Sequence, residues 1–397
     1  MFTLKSKSSV IIILSLAELF ALTLWFSANA IIPQLTALWN LSAFEVSLLS
    51  IFVIIGFVAG SLVSSFFSLP DVYKTKHVFA LSAALAGLSN LIIAVFIDSL
   101  NGMLIFRFFT GFFLAGVYPT GMKLASTWFK KRRGFAISAI VGSLTIGSGL
   151  PFLFNVSGIP DWRVLLHFST ALAFISAGIV WLFIEEGPYS GGRLKFDISN
   201  IKYIIKNKAV RLANYGYFGH MWELYAMWAW IPIFLRESYL QSNPLADPLI
   251  FFSLGTFFVF LAGAIATVIG GILADRYGRI KFNMLALVIS GLCCLVIGLF
   301  FGSNPTIVLL IAIIWGIAVI PDSPQYSALV TELCEKQYMG TALTLQTAIG
   351  FFITIFSIRL ISLAIDLVGW NYAFSLLFLG PLFSLVSLVR LKKYIPN

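Results

Sequence analysis

Gly271-Ile-Leu-Ala-Asp275-Arg276-Tyr277-Gly278-Arg279-Ile-Lys281 is a charged stretch between two apolar blocks. Phe67-Ser-Leu-Pro-Asp71-Val-Tyr73-Lys74-Thr75-Lys76-His77 repeats it about 204 residues earlier. Asp71 aligns with Asp275, Tyr73 with Tyr277 and Leu69 with Leu273, while Phe67 replaces the leading glycine and Thr75 the second arginine. Repetition at such a distance points to two copies of one structural unit. The opening block of each copy agrees. Glu18-Leu-Phe-Ala-Leu22 matches Glu223-Leu-Tyr-Ala-Met227 at an offset of 205, and Trp25 and Trp230 each follow seven residues after the glutamate. Residues i and i+7 share one face of a helix. Each opening block therefore presents a carboxyl and an indole on one stripe, joined by Asn29 in the first copy and by His220, Gly216 and Gly219 in the second. Val117-Tyr-Pro119-Thr120 likewise echoes Val319-Ile-Pro321-Asp322 at an offset of 202.

The surroundings of these stretches set the class. Of 397 residues, 59% are hydrophobic and only 11% charged. A soluble domain carries about 25% charged residues, so too few remain here to solvate a globular surface. The apolar residues fall into blocks the length of a bilayer crossing, roughly 10–32, 45–68, 77–97, 101–128, 135–155, 163–184, 209–235, 248–270, 282–302, 305–327, 340–365 and 370–391. In lipid such blocks must be helices, because the backbone has no other hydrogen-bond partner. The expectation is an all-α membrane protein of twelve transmembrane helices in two pseudo-symmetric six-helix bundles. The bundles span residues 1–184 and 209–397, with a cytoplasmic linker over 185–208. Phe196, Ile198, Ile201, Tyr203 and Ile204 in that linker suit either a surface helix or a plain solvated length of chain.

The net charge of +10 is placed in loops rather than on one basic face, which excludes nucleic acid as a partner. With both termini inside, the inner loops hold Lys74, Lys76, Lys130, Lys131, Arg276, Arg279, Lys281, Lys392 and Lys393 among others, and the outer loops only Arg163 and Arg236. This bias sets the orientation: a multi-pass protein of the cytoplasmic (inner) membrane with cytoplasmic termini. Ala28-Asn29-Ala30 imitates a signal-peptide cleavage site, but the preceding run is long and carries Glu18, so an uncleaved first helix is expected. Cys293, Cys294 and Cys334 have neither disulfide nor zinc spacing.

The Gly271–Lys281 stretch resembles the loop motif of the major facilitator superfamily. Leu104-Ile-Phe-Arg107-Phe-Phe-Thr-Gly111 is similar to that family's fourth-helix motif, an arginine four residues before a glycine. Gly116–Lys123 and Gly142–Pro151 are distantly similar to nitrate, nitrite and cyanate porter-like members, although the arginines that nitrate porters carry in spans 2 and 8 are absent. The resemblance implies the major facilitator fold. It also implies a secondary active transporter that moves a small organic or anionic solute by alternating access, coupled to protons. Spans 1, 4, 7 and 10 would then line the transport path. The same motifs imply gating roles for Asp71, Asp275, Arg276 and Arg279, the aspartate of the second copy acting at the start of span 11 near Gly340-Thr341. The competing reading is a non-transporting polytopic sensor or assembly protein on the same fold.

Ionisable residues inside apolar blocks mark candidate sites, because inserting each costs at least ~2.5 kcal/mol. Glu18 and Glu223 are expected to bind a coupling proton or a substrate amine or hydroxyl. Arg107 would hold an anionic group or repel the proton, with Tyr118 on its face. Trp25 and Trp230 would pack against the solute. Asp322, between Pro321 and Pro324 and on a stripe with Trp315 and Tyr326, either lines the path or satisfies a helix kink. Lys123 is read as reaching the inner surface and Arg359 as reaching the outer one. His220 and Glu223 at i, i+3 make half a metal set with no third ligand, so no metal site is expected. No phosphate loop, nucleophile triad or zinc spacing appears, so neither an enzyme nor a cofactor is expected. The partners are then a small-molecule substrate, protons and the bilayer, and the protein a monomer.

Overall fold

A computed structural model describes residues 6–67, 69–129, 133–156, 161–189, 206–334 and 339–394. The described residues are helical, with turns and no strand. The chain divides into two compact units, Met1–Lys195 and Phe196–Asn397. The surface helix considered for 196–207 falls almost wholly outside the described residues, and so does most of the linker.

In the first unit, span 1 is broken into α1 (Lys7–Leu22), α2 (Ser27–Ala30) and α3 (Ile32–Trp39). Span 2 is α4 (Ala43–Phe66), followed by the short α5 (Leu69–Val72), and span 3 is α6 (Thr75–Phe96). Span 4 is α7 (Leu100–Leu114) and α8 (Tyr118–Trp128), split ahead of Pro119, which cannot donate to the preceding turn. Spans 5 and 6 are α9 (Arg133–Asn155) and α10 (Trp162–Phe183). The second unit opens with one helix of 35 residues, α11 (Lys208–Ser242). There follow α12 (Leu249–Tyr277), α13 (Arg279–Val296), α14 (Pro305–Val319), α15 (Ser323–Leu333), α16 (Met339–Val368), α17 (Trp370–Ala373) and α18 (Leu379–Leu391). The break between α14 and α15 lies at Ile320–Asp322, beside Pro321 and Pro324. Between α12 and α13 the chain turns at Gly278, whose φ of 94° favours a residue without Cβ.

Among the described residues, ten helices are long and apolar enough to cross a membrane. The two expected spans missing from that set are the first of each unit, and for different reasons. Span 1 is cut before α1 reaches a full crossing, at 16 residues. The helix of span 7 is long enough, but its Tyr, Trp, His and Glu residues dilute its hydropathy. The blocks that hold the two acids are the two outside that set.

Each unit pairs its helices alike. Spans 2 and 4, 3 and 6, 1 and 5, and 1 and 6 associate in the first, and spans 8 and 10, 9 and 12, 7 and 11, and 7 and 12 in the second. Lipid supplies no hydrophobic drive between helices, so close backbone packing over small residues has to. A Cβ at Gly111 in α7 would lie 1.8 Å from the Val53 carbonyl oxygen, and one at Gly56 in α4 would lie 1.9 Å from that of Phe108. The corresponding pair in the second unit meets at Gly316, where a Cβ would lie 2.6 Å from the Val259 carbonyl oxygen.

Candidate functional site

In the first unit the break in span 1 organises the polar interior. Over Thr23–Trp25 the backbone N–H groups bond three residues back, and the Thr23 hydroxyl donates to the Phe20 carbonyl at 2.7 Å. The carbonyls of Leu24 and Trp25 turn to side-chain donors here, the Ser27 hydroxyl donating to Leu24 O at 3.0 Å. Arg107 of α7 supplies the others: Nη1 donates to Leu24 O at 2.8 Å and Nη2 donates to Trp25 O, while Nε donates to Leu49 O of α4 at 3.4 Å. Arg107 is fully buried. One planar cation with five donors thus holds spans 1, 2 and 4 together at the unwound turn. It meets backbone carbonyls there, not an acid.

Ser27 of α2 donates to Asn90 Oδ1 of α6 at 3.3 Å, and Asn90 Nδ2 donates to Leu166 O at 2.9 Å and Thr170 Oγ1 at 3.1 Å of α10. Asn29 donates to Ser50 Oγ at 2.7 Å, leaving its own Oδ1 buried without a partner among the described residues. Trp25 lies in the break, edge-on to Phe57 at 5.1 Å. The shared Glu18–Trp25 stripe expected from i, i+7 spacing therefore does not exist, since the helix stops between them.

Glu18 sits in α1 with 0% exposure, and neither carboxyl oxygen has a hydrogen-bond partner among the described residues. It faces Gly121 of α8 so closely that a Cβ there would lie 2.3 Å from Oε2, and Phe79 of α6 borders the same point at 3.4 Å. The split in span 4 also frees Tyr118 from the face of Arg107 and brings it within electrostatic reach of Glu18. Lys123 donates to the Pro70 carbonyl at 2.6 Å, in the loop after span 2.

The repeated acid of the second unit has the opposite surroundings. Glu223 is equally buried, but Trp315 Nε1 of α14 donates to its Oε1 at 2.6 Å, Cys294 Sγ of α13 to the same oxygen at 3.3 Å, and Ser290 Oγ to Oε2 at 3.1 Å. One turn earlier on α11, His220 Nδ1 lies 2.8 Å from Asp322 Oδ1 at the break in span 10. Tyr326 lies over Gly216, where a Cβ would be 2.4 Å from its ring, and 6.0 Å from the His220 ring. Trp230 does share the helix of Glu223, and its Nε1 donates to Ile358 O of α16 at 3.0 Å. Sequence reasoning missed Ser290 and Cys294 as partners of Glu223. Their i, i+4 spacing on one face of span 9 was the available signal.

The charged loop of the second unit is knitted by Arg279. It pairs with Asp275 at 2.9 Å and Glu332 at 2.9 Å, and donates to Gln325 Oε1 at 2.6 Å. Arg276 lies over the Tyr277 ring at 5.3 Å. The side chain of Asp71 is outside the described set, as are residues 335–338 and the side chains near Gly340-Thr341 where Asp275 was expected to act. Arg359 donates to Ser362 Oγ at 2.9 Å.

A family model described as Major Facilitator Superfamily matches residues 14–261 and 216–396. An uncharacterized protein of Campylobacter jejuni is 26% identical over 242 residues, covering 59% of this chain and 73% of that protein. An uncharacterized transporter of the same family type from Methanocaldococcus jannaschii is 25% identical over 151 residues, covering 37% of this chain and 39% of its own. Among solved structures, a point mutant of the nucleoside transporter NupG aligns with a TM-score of 0.71 at 14% identity, covering 98% of this chain and 100% of that one. At that identity the likeness concerns the fold.

Proposed function

The chain belongs to the major facilitator superfamily and is a multi-pass membrane transporter, and from that premise we propose that it is a secondary active transporter coupled to protons by alternating access. The observation that carries the coupling is Glu18, a buried carboxyl with no hydrogen-bond partner among the described residues, in a unit whose span 4 arginine, Arg107, is engaged elsewhere. Leaving a buried charge unpaired costs several kcal/mol, so a carboxyl there fits a group that takes up and gives up a proton as its surroundings change. Glu223 has the same place in the repeat and three donors on its oxygens. Its role in this reading is to fix spans 7, 9 and 10 to one another.

His220 and Asp322 form a second ionisable pair at the span 10 break. Broken helices in transporters expose backbone groups where solutes and ions bind, which supports a binding role for this pair. Trp25, Asn29, Tyr118, Trp230 and Tyr326 belong to the proposed interior polar and aromatic set, and Arg276, Arg279, Asp275 and Asp71 to the proposed gate at the inner loops. The membrane is the cytoplasmic one, with both termini inside and the protein working as a monomer.

The test is accumulation of solutes in proteoliposomes under an imposed pH gradient. The panel contains nucleosides, suggested by the structural neighbour's name, organic amines, and nitrate, nitrite and cyanate. At least one solute accumulates with the wild-type chain and collapses to the gradient-free level with Glu18→Gln. Equal accumulation in both excludes Glu18 from the coupling.

A further inference from the structure

The inner ends of spans 7 and 12 bring one sign of charge together. Residues 206–216 hold Lys206, Lys208 and Arg211, residues 384–394 hold Arg390, Lys392 and Lys393, and neither stretch contains an acid. Arg211 is half-buried and the other five are exposed. Among the described residues, the acids at that end of the unit, Asp275 and Glu332, both pair with Arg279. The corresponding ends of spans 1 and 6 are charged differently. They hold Lys7 with Glu185 and Glu186, and these acids are used internally: Glu185 pairs with Lys76, and Glu186 Oε1 accepts from Thr75 N at 2.8 Å. Orientation is set by the loops as a whole and does not require six cations on one pair of helices.

The two helices are locked side by side. α11 and α18 run antiparallel over small residues: Ser384 Oγ donates to Gly216 O at 2.6 Å, and a Cβ at Gly219 would lie 2.4 Å from the Gly380 carbonyl oxygen. Lys208, Arg211, Tyr215 and Phe218 follow one another at steps of three or four, on one stripe of α11. Phe383, Val386, Arg390 and Lys393 do so at the inner end of span 12. Two contacts make the stripes neighbours. Lys208 Nζ lies over the Tyr394 ring at 5.1 Å, and the Tyr215 and Phe383 rings are 5.8 Å apart. Tyr215 is 37% exposed, Phe383 48% and Val386 44%, so the apolar part of this face is uncovered by the chain. Both stripes read in the same order, cations at the inner end and then rings. Arg211 is four residues from Tyr215 and Arg390 seven from Phe383, which sets the charges ~6–10 Å inward of the rings.

We propose that the face shared by spans 7 and 12 binds an anionic phospholipid of the inner leaflet. The headgroup phosphate meets Lys208, Arg390 and Lys393, and the acyl chains run along Tyr215, Phe218, Phe383 and Val386. Basic clusters between transmembrane helices on the cytoplasmic side suit phosphate headgroups, and an arginine beside lysines adds paired donors for the phosphate oxygens. A soluble anion would use the cations and leave the exposed rings unmatched. A zwitterionic lipid would cover the rings and bring its own cation to the cluster. The bound lipid braces span 7, the helix that also carries His220 and Glu223, and its recognition does not depend on which solute or ion is carried.

The test uses the purified, delipidated full chain in a neutral detergent. It is titrated separately with phosphatidylglycerol, phosphatidylcholine of the same chain length, glycerophosphoglycerol (the headgroup without acyl chains) and inorganic phosphate. Thermal unfolding and native mass spectrometry are read together. Phosphatidylglycerol raises the unfolding temperature and stays bound, and added salt weakens it; the other three probes do neither. Arg390→Gln/Lys393→Gln alters two exposed side chains outside the proposed transport path. It keeps the lipid-free unfolding temperature and weakens phosphatidylglycerol about thirtyfold. Lys74→Gln/Lys130→Gln removes the same charge from the first unit and leaves the binding unchanged. If the first double variant does not fold, Lys208→Gln is read in its place, with a weakening of about fivefold. Equal stabilisation by phosphatidylcholine, by glycerophosphoglycerol or by phosphate overturns the proposal. So does an equal loss in the two double variants, or undiminished binding when the cations of spans 7 and 12 are replaced.

Discussion

Glu18 and Glu223 are the same residue of a repeated helix, and their neighbours decide what each can do. A buried acceptor that loses a donor is left with its full desolvation cost, while one that never had a donor loses nothing. Glu18→Gln is therefore expected to leave the thermal unfolding temperature nearly unchanged while abolishing coupled flux. Trp315→Phe removes the shortest bond to Glu223 and should cost about 1.5–3 kcal/mol, seen as a lowered unfolding temperature. Equal destabilisation by both variants would contradict the division of roles. Both acids were legible in the sequence, because an acid in an apolar block stands out singly. Their difference was not, since Ser290, Cys294 and Trp315 reach Glu223 from 67, 71 and 92 residues away. Linear spacing reports which face a residue is on and not what lies opposite.

The broken helices show the same limit at the scale of the element. Pro119, Pro321 and Pro324 announce the splits in spans 4 and 10, because a missing N–H and a fixed φ can be read locally. The break at Thr23–Phe26 contains neither proline nor glycine. It persists because Arg107, in another span, answers the carbonyls it exposes. Arg107→Met should remove the guanidinium bonds to the carbonyls of Leu24, Trp25 and Leu49 while Leu24 O keeps the Ser27 hydroxyl, and destabilise the protein by about 1–3 kcal/mol. Arg107→Lys should recover only part of that, since a point ammonium cannot span three carbonyls. Thermal unfolding in detergent distinguishes these, and a fully stable Arg107→Met would show that the turn holds itself. Where spans 2 and 4 touch, Gly111→Ala would place a methyl 1.8 Å from the Val53 oxygen. Overpacking of this kind costs about 1–3 kcal/mol, and a reduced yield of folded protein measures it.

For the whole molecule, the repeat of helix pairings explains why a 204-residue self-similarity in two charged loops predicted the architecture so far ahead of the details. Two copies of one unit must bury equivalent faces, so matching loops imply matching bundles. Of the twelve blocks read from hydropathy, ten are helices long and apolar enough to cross a membrane among the described residues, and the other two open their units, one discontinuous and one rich in polar and aromatic residues. The loop charges favour termini in the cytoplasm. A reporter fused after Asn397 that is active only in the cytoplasm should be active, and one active only outside should be silent; the reverse pattern would invert the topology. The central proposal is that Glu18 carries the coupling proton. Its most direct test is the movement of protons driven by a solute gradient, followed with a pH dye trapped inside proteoliposomes. A transported solute added outside should shift the internal pH with the wild-type chain and leave it flat with Glu18→Gln. A shift of the same size and rate in the variant would contradict the account.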